Sequence, residues 1–236
     1  MSARGDRTRE HLLDVAEVLF AQRGIQGVSL REVRIAAGAR NTAAMQFHFG
    51  DRDGLLLALT ERHMPRVAEL QQTLYDETVA AGEEEDPRRL VEILVRPATD
   101  YLILGASERA WIQIMGDLAS QPDLHLKEMI SVTPEAGLRA GALLYRQLSR
   151  TLSGPLARDR IIVLAQASVN LTSDHARLLD DPVTSRRHRG TGEFATMLVD
   201  MLTAALFAPA SDDAAKPAPP AANGRRKPRT NGAKTP

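Results

Sequence analysis

Apolar residues recur three and four apart along most of the chain, the spacing that lines one face of a helix. Leu12, Leu13, Ala16, Leu19 and Phe20 make such a face over about Arg7 to Arg23, and Leu30, Val33 and Ala37 repeat it after Ser29. A long helix is predicted from near Asp51 to about Val79, with Pro65 marking a kink or a break. Further helices are predicted over about 87–105, 108–119, 123–132, 135–152, 156–180 and 193–207. AGEEEDP at 81–87 and DDPVTSRRHRGTG at 180–192 read as polar loops, and Gly154-Pro155 as a helix start. No strand-like alternation of useful length and no fixed repeat appears, so the fold class is all-α.

The punctuation is densest between Ser29 and Arg52. Ser29 with Glu32 three residues on has the form of a capping box. Gly38 can adopt the left-handed conformation that stops a helix. Asn41 or Thr42 can cap a second short helix running to about His48. Two short helices across a Gly-containing turn make a helix-turn-helix, whose second helix can enter the DNA major groove. The expected outward residues are Arg40, Asn41, Thr42, Ala44, Met45, Gln46 and His48, with Ala43 and Phe47 turned to the core. Asn and Gln can read adenine edges, Arg reads guanine or phosphate, and Ala or Met can pack on a thymine methyl. The same spacing also suits an ordinary helical hairpin within a bundle.

The residues favour the first reading. Arg9, Leu12-Leu13, Ala16, Leu19-Phe20 and Gly24 are followed by Ser29-Leu30, Val33 and Ala36-Ala37-Gly38. Phe47-His48-Phe49-Gly50-Asp51-Arg52 and Leu55-Leu56 complete the series. In this order they resemble the N-terminal domain of the TetR family of bacterial repressors. The resemblance covers about the first quarter of the chain. It implies a helix-turn-helix domain over 1–50, then a helical ligand-binding and dimerisation domain over 51–208. It implies a double-stranded DNA operator read by a homodimer, with Arg7, Ser29, Arg31 and Arg52 joining the second-helix residues at the interface. The segment from Arg40 to Gln46 is one residue longer than the commonest family form. Phe47 lacks the aromatic hydroxyl usual there, and Arg52 replaces the usual Lys.

Charge changes the picture little. Residues 1–63 carry nine Lys/Arg against eight Asp/Glu, and residues 64–208 carry fifteen against twenty. DNA recognition is therefore expected to use placed cations rather than a broad basic field. Residues 209–236 carry six against two among Ala, Pro and Gly, which predicts a disordered basic tail. That tail is either a neutral appendage or an extra DNA contact through Arg225, Arg226, Lys227 and Arg229. The chain has no cysteine, which excludes disulfides and thiolate metal sites. The N-terminal stretch lacks a signal-peptide core and no apolar run reaches membrane-spanning length. A cytoplasmic protein without a membrane partner is expected.

No catalytic residue, cofactor or metal site is expected. Ser173, Asp174 and His175 are the right types for acyl chemistry, but neighbours on a helix point about 100° apart. Asp123, His125 and Glu128 read as a solvated face, and His11, His63 and His188 as surface residues. The resemblance implies a small apolar or amphipathic effector within the central helices. Tyr101, Trp111, Met115, Met129, Tyr145 and Asn170 are the candidate lining, against the alternative of plain core packing. Asn170 is the expected polar handle. The apolar faces around Ile161–Leu171 and Phe194–Leu206 are expected to form a two-fold, four-helix dimer interface, or else to pack within one chain.

Overall fold

The structure, a computed structural model, describes residues 3–41, 43–121, 133–181, 183 and 190–211. Within these, all regular structure is helical: α1 (Ala3–Arg23), a short 3-10 turn (Ile25–Gly27), α2 (Leu30–Ala36), α3 (Ala44–Phe49), α4 (Arg52–Ala80) and α5 (Pro87–Leu102). Then follow α6 (Ala106–Ala119), α7 (Glu135–Leu148), α8 (Gly154–Asp180) and α9 (Thr191–Phe207). The expected helix at 123–132, Thr42, Met129, most of the second loop with His188, and the tail from 212 lie outside the described residues.

The helix boundaries follow local chemistry. Asp51 caps α4 by accepting from the Gly54 amide, and Asp86 caps α5 by accepting from Arg88, with Pro87 in the first turn. Of the kink or break expected at Pro65, the break does not occur: α4 runs unbroken through it. Pro65 is exposed, so the Glu61 carbonyl left without its helical donor faces solvent, where water can satisfy it.

α5 is the central helix, packed by α4, α6, α7, α8 and α9, and it is buried from Leu90 to Leu102 on several sides. Two apolar clusters result. One joins α5, α7, α8 and α9 through Leu90, Ile93, Leu144, Leu164 and Leu198. The other starts among α1–α4 with Leu12, Phe20, Val33, Phe49 and Leu59 and continues without interruption into Tyr101, Trp111 and Ile114. α1 and the 3-10 turn are thus seated on α6, and apolar burial runs across the sequence boundary expected near residue 50. Among the described residues, no helix is long and apolar enough to cross a membrane.

Candidate nucleic-acid interface and effector cavity

Ser29 forms the full capping box: its hydroxyl oxygen accepts from the Glu32 amide at 3.2 Å, and the Ser29 amide donates to the Glu32 carboxylate at 2.8 Å. Arg23 adds an ion pair to the same carboxylate at 2.7 Å. Together these hold Glu32 down to about 2, with the Ser29 amide as the largest cause, then the Arg23 guanidinium and the Ser29 hydroxyl. α2 stops in a Schellman motif. Gly38, at φ +61°, donates to Ile35 O, and Ala39 donates to Arg34 O. Asn41 then accepts from the Ala43 amide at 2.9 Å, so its side chain shapes the entry to α3. Gly54 fits because a methyl there would collide with the Phe49 carbonyl; α3 and α4 meet that closely.

The inward face of α3 differs by two positions from the sequence expectation. Ala44 and Met45 are 5% exposed and belong to the core with Phe49, whereas Phe47 is 75% exposed and Ala43 is also outside. Ala43 and Phe47 are four apart, but so are Met45 and Phe49. The larger, more apolar second pair wins the core. Ala44 and Met45, expected to face outward, are thus buried, and Phe47, expected to face the core, is exposed. The signal lay in the choice between two pairs of equal spacing.

Gln46 is exposed beside Phe47, Arg40 and Asn41 are exposed in the turn, and Arg31 is exposed at the start of α2. Arg31 and Arg40 form no ion pair among the described residues. Arg7, Thr8 and His11 of α1 line a shallow groove with Ala37, Gly38 and Ala39. This brings Arg7 to the turn, where His11 also lies 3.2 Å from Ala37 O. His48 is only half exposed, and its buried Nδ1 has no hydrogen-bond partner. Arg52 spends its guanidinium on Gln26 at 3.0 Å and the Val28 carbonyl at 2.8 Å, bracing α4 against the segment before α2.

His63 corrects a further expectation. Instead of lying on the surface it is buried, with Nε2 2.7 Å from Glu17 of α1 and Nδ1 2.7 Å from the Tyr101 hydroxyl of α5. Ser107 of α6 donates to the other Glu17 oxygen, and Arg62 lies 3.5 Å from the carboxylate. Burial pushes the Tyr101 hydroxyl up to about 12, so it remains a donor. With Nε2–H on the carboxylate, a neutral imidazole can accept from Tyr101 through Nδ1. Tyr101 is thus a structural hydrogen-bonding partner of His63 and is not in the lining of the cavity between α4, α5, α6 and α8.

A cavity of about 330 Å³ opens between α4, α5, α6 and α8. Of the expected lining, Trp111 and Met115 are present. Asn170 is not: it accepts from Ser120 at 3.1 Å between α6 and α8. Tyr145 sits partly exposed on α7. The polar lining instead includes Thr60, Gln71, Ser168 and Thr172, which the sequence reading missed because their flanking residues gave no sign of a shared space. Ser173 and His175 are buried packing residues of α8, with His175 stacked on Phe194 at 4.0 Å.

Residues 12–59 match the bacterial regulatory proteins of the tetR family. The chain is similar to the HTH-type transcriptional repressor AcnR of Corynebacterium glutamicum, 34% identical over 97 residues, 40% of this chain and 51% of that protein. It is also similar to the HTH-type transcriptional regulator AcrR of Shigella flexneri, 39% identical over 64 residues, 27% of this chain and 29% of that protein. The chain thus spans about half or less of the length of these relatives. A crystal structure of a TetR-family regulator from Streptomyces coelicolor A3 aligns with 85% of this chain and 95% of its own, at 20% identity and a TM-score of 0.41.

Proposed function

The chain belongs to the TetR family of bacterial regulatory proteins, and from that premise we propose a transcriptional repressor. It binds a two-fold operator as a homodimer and releases it when a small apolar or amphipathic effector fills the cavity. The observation that carries the DNA reading is α3: pinned from below by Ala44, Met45 and Phe49, it presents Gln46 and Phe47 to solvent. Gln46 has the amide that pairs with an adenine edge, and Phe47 the apolar surface that packs on a thymine methyl. Arg40 and Asn41 in the turn before α3, Arg7 beside that turn and the exposed Arg31 of α2 suit phosphate or base contacts. Ser29 and Arg52 contribute by holding α2 and α4 in place. The protein carries out no catalysis in this reading.

Dimerisation is supported by apolar side chains left outside the monomer core: Val163 and Leu171 on α8, Met197 and Met201 on α9. Leu198, Leu202 and Leu206 of α9 turn inward onto the body instead, so only the outer stripe is free for a second copy. Effector control is supported by shared helices. α4 begins directly after α3 and further along supplies Thr60 and Met64 to the cavity, and α6 lines the cavity while packing on α1. A ligand favouring the arrangement that cannot hold DNA would release the operator, with coupling of about 1–3 kcal/mol typical.

The test is selection of random duplex DNA with the purified full chain, alongside light scattering. A recovered inverted repeat and a mass near twice 25.8 kDa are expected. A monomer that selects no site would sink the reading.

A further inference from the structure

We propose that the cavity is built for an uncharged amphipathic molecule that carries an N–H or O–H donor, and that Gln71 and Thr172 receive its polar end. The inference rests on the effector-controlled reading above and names the chemistry of its ligand.

Pro97 starts the argument. Without a backbone N–H it cannot pair with the carbonyl of Ile93 one turn back in α5. Gln71 of α4 takes that role, donating from Nε2 to Ile93 O at 2.9 Å. This bond sets the amide orientation, because the reverse would face oxygen with oxygen. Gly137 of α7 confines the same amide: a methyl there would approach both Nε2 and Oε1 at 2.8 Å. Gln71 Oε1 is therefore a fixed acceptor. The residue is 6% exposed, lines the cavity, and Oε1 has no hydrogen-bond partner. Across from α4, Thr172 of α8 is fully buried, lines the same cavity, and its hydroxyl also has no partner.

Unpaired buried polar atoms are costly, and a ligand that pairs them recovers that cost. Gln71 Oε1 accepts only, so the ligand must donate to it; the Thr172 hydroxyl can donate to a ligand oxygen. The remaining lining is apolar or small, including Met64, Val67, Leu94, Trp111, Ile112 and Met115. Among the described residues, none of the lining side chains is Asp, Glu, Lys, Arg or His. A carboxylate or an ammonium would lose its hydration without gaining a counter-ion from these described side chains, which favours an uncharged ligand. A volume of 330 Å³ lies at the small end of the roughly 300–1,000 Å³ usual for ligand sites, which points to a compact molecule. A small primary amide or alcohol on an apolar body meets all these conditions.

Trp111 is the only tryptophan in the chain and lines the cavity, so its emission reports occupancy in the unmodified full-length protein. The probes are octanamide, methyl octanoate and octanoate. They share an acyl chain and differ at the polar end: donor and acceptor, acceptor only, and anion. The amide is expected to bind about tenfold more tightly than the ester, with the anion weakest. Gln71→Leu should bring the amide to the level of the ester and leave the ester unchanged; Thr172→Val should weaken both amide and ester. The wild-type comparison needs no variant, so it holds even if a variant fails to fold. Equal binding of amide and ester would overturn this inference while leaving an effector cavity intact, as would tightest binding of octanoate. If no probe shifted Trp111 emission, the cavity reading and this inference would both fail, while DNA binding would remain to be judged by the selection experiment.

Discussion

The imidazole of His63 lies parallel to the indole of Trp111, with ring centroids 5.2 Å apart and planes 6° from each other. One side chain comes from α4 and the other from α6. His63 also holds Glu17 of α1, while Trp111 forms part of the cavity wall. The pair thus joins the N-terminal helices to the cavity through direct contacts.

This buried network should be costly to open. His63→Leu would leave Glu17 Oε2 without its nearest partner in a site that is almost fully covered, with Ser107 still on Oε1. The expected loss is roughly 2–4 kcal/mol of unfolding free energy, since a buried acceptor or charge loses its partner. Urea denaturation measures it. Combining His63→Leu with Glu17→Leu should cost less than the two singles added, because the second change removes the stranded charge. Simple additivity would show that the two side chains do not act together.

α3 offers a test that separates display from support. Gln46→Ala should leave the melting temperature unchanged and weaken the selected DNA site by about 1–3 kcal/mol. Phe47→Ala should also lower DNA affinity without loss of stability, because the ring is exposed. Met45→Ala should do the opposite at first, lowering stability by roughly 2–5 kcal/mol through the space it leaves in the core. Anisotropy titrations paired with thermal melts distinguish these outcomes. A stability loss for Phe47→Ala as large as that for Met45→Ala would reverse the assignment of faces.

Gly54→Ala probes the junction of α3 with α4. The added methyl would run into the Phe49 backbone carbonyl, which cannot turn aside as a flexible side chain could. The two helices must then separate, with an expected cost of about 1–3 kcal/mol. DNA binding should fall together with stability. A variant as stable as the parent would show that the approach is looser than described.

The capping box predicts a pH dependence. The Glu32 carboxyl is lowered from its ordinary 4.5 to about 2, first by the Ser29 amide and then by Arg23. A lowered acid stabilises the fold at pH above its ordinary value. That contribution is lost as pH falls from about 4.5 through about 2. Carbon-detected NMR should place the Glu32 midpoint near the lower value. Glu32→Gln should shrink the fall in melting temperature between pH 6 and pH 3 relative to the parent. An unchanged pH profile would mean that the box contributes nothing over this window.

The sequence by itself determined the features that depend on neighbours along the chain. Ser29 with Glu32, the left-handed Gly38 and Asp51 before α4 are local hydrogen-bonding devices, so their roles could be read from residue type and spacing. The all-helical character followed from apolar periodicity in the same way. Tertiary structure alone decided which faces turned inward. Met45 with Phe49, rather than Ala43 with Phe47, fills the space under α3, and that space is shaped by α1 and α4. It also decided that His63 would be buried, because its partners Glu17 and Tyr101 lie 46 and 38 residues away. Gln71 became an oriented acceptor only because Pro97 left the Ile93 carbonyl open on an adjacent helix. Burial and pairing across such separations depend on how helices pack, and no local pattern along the chain encodes that.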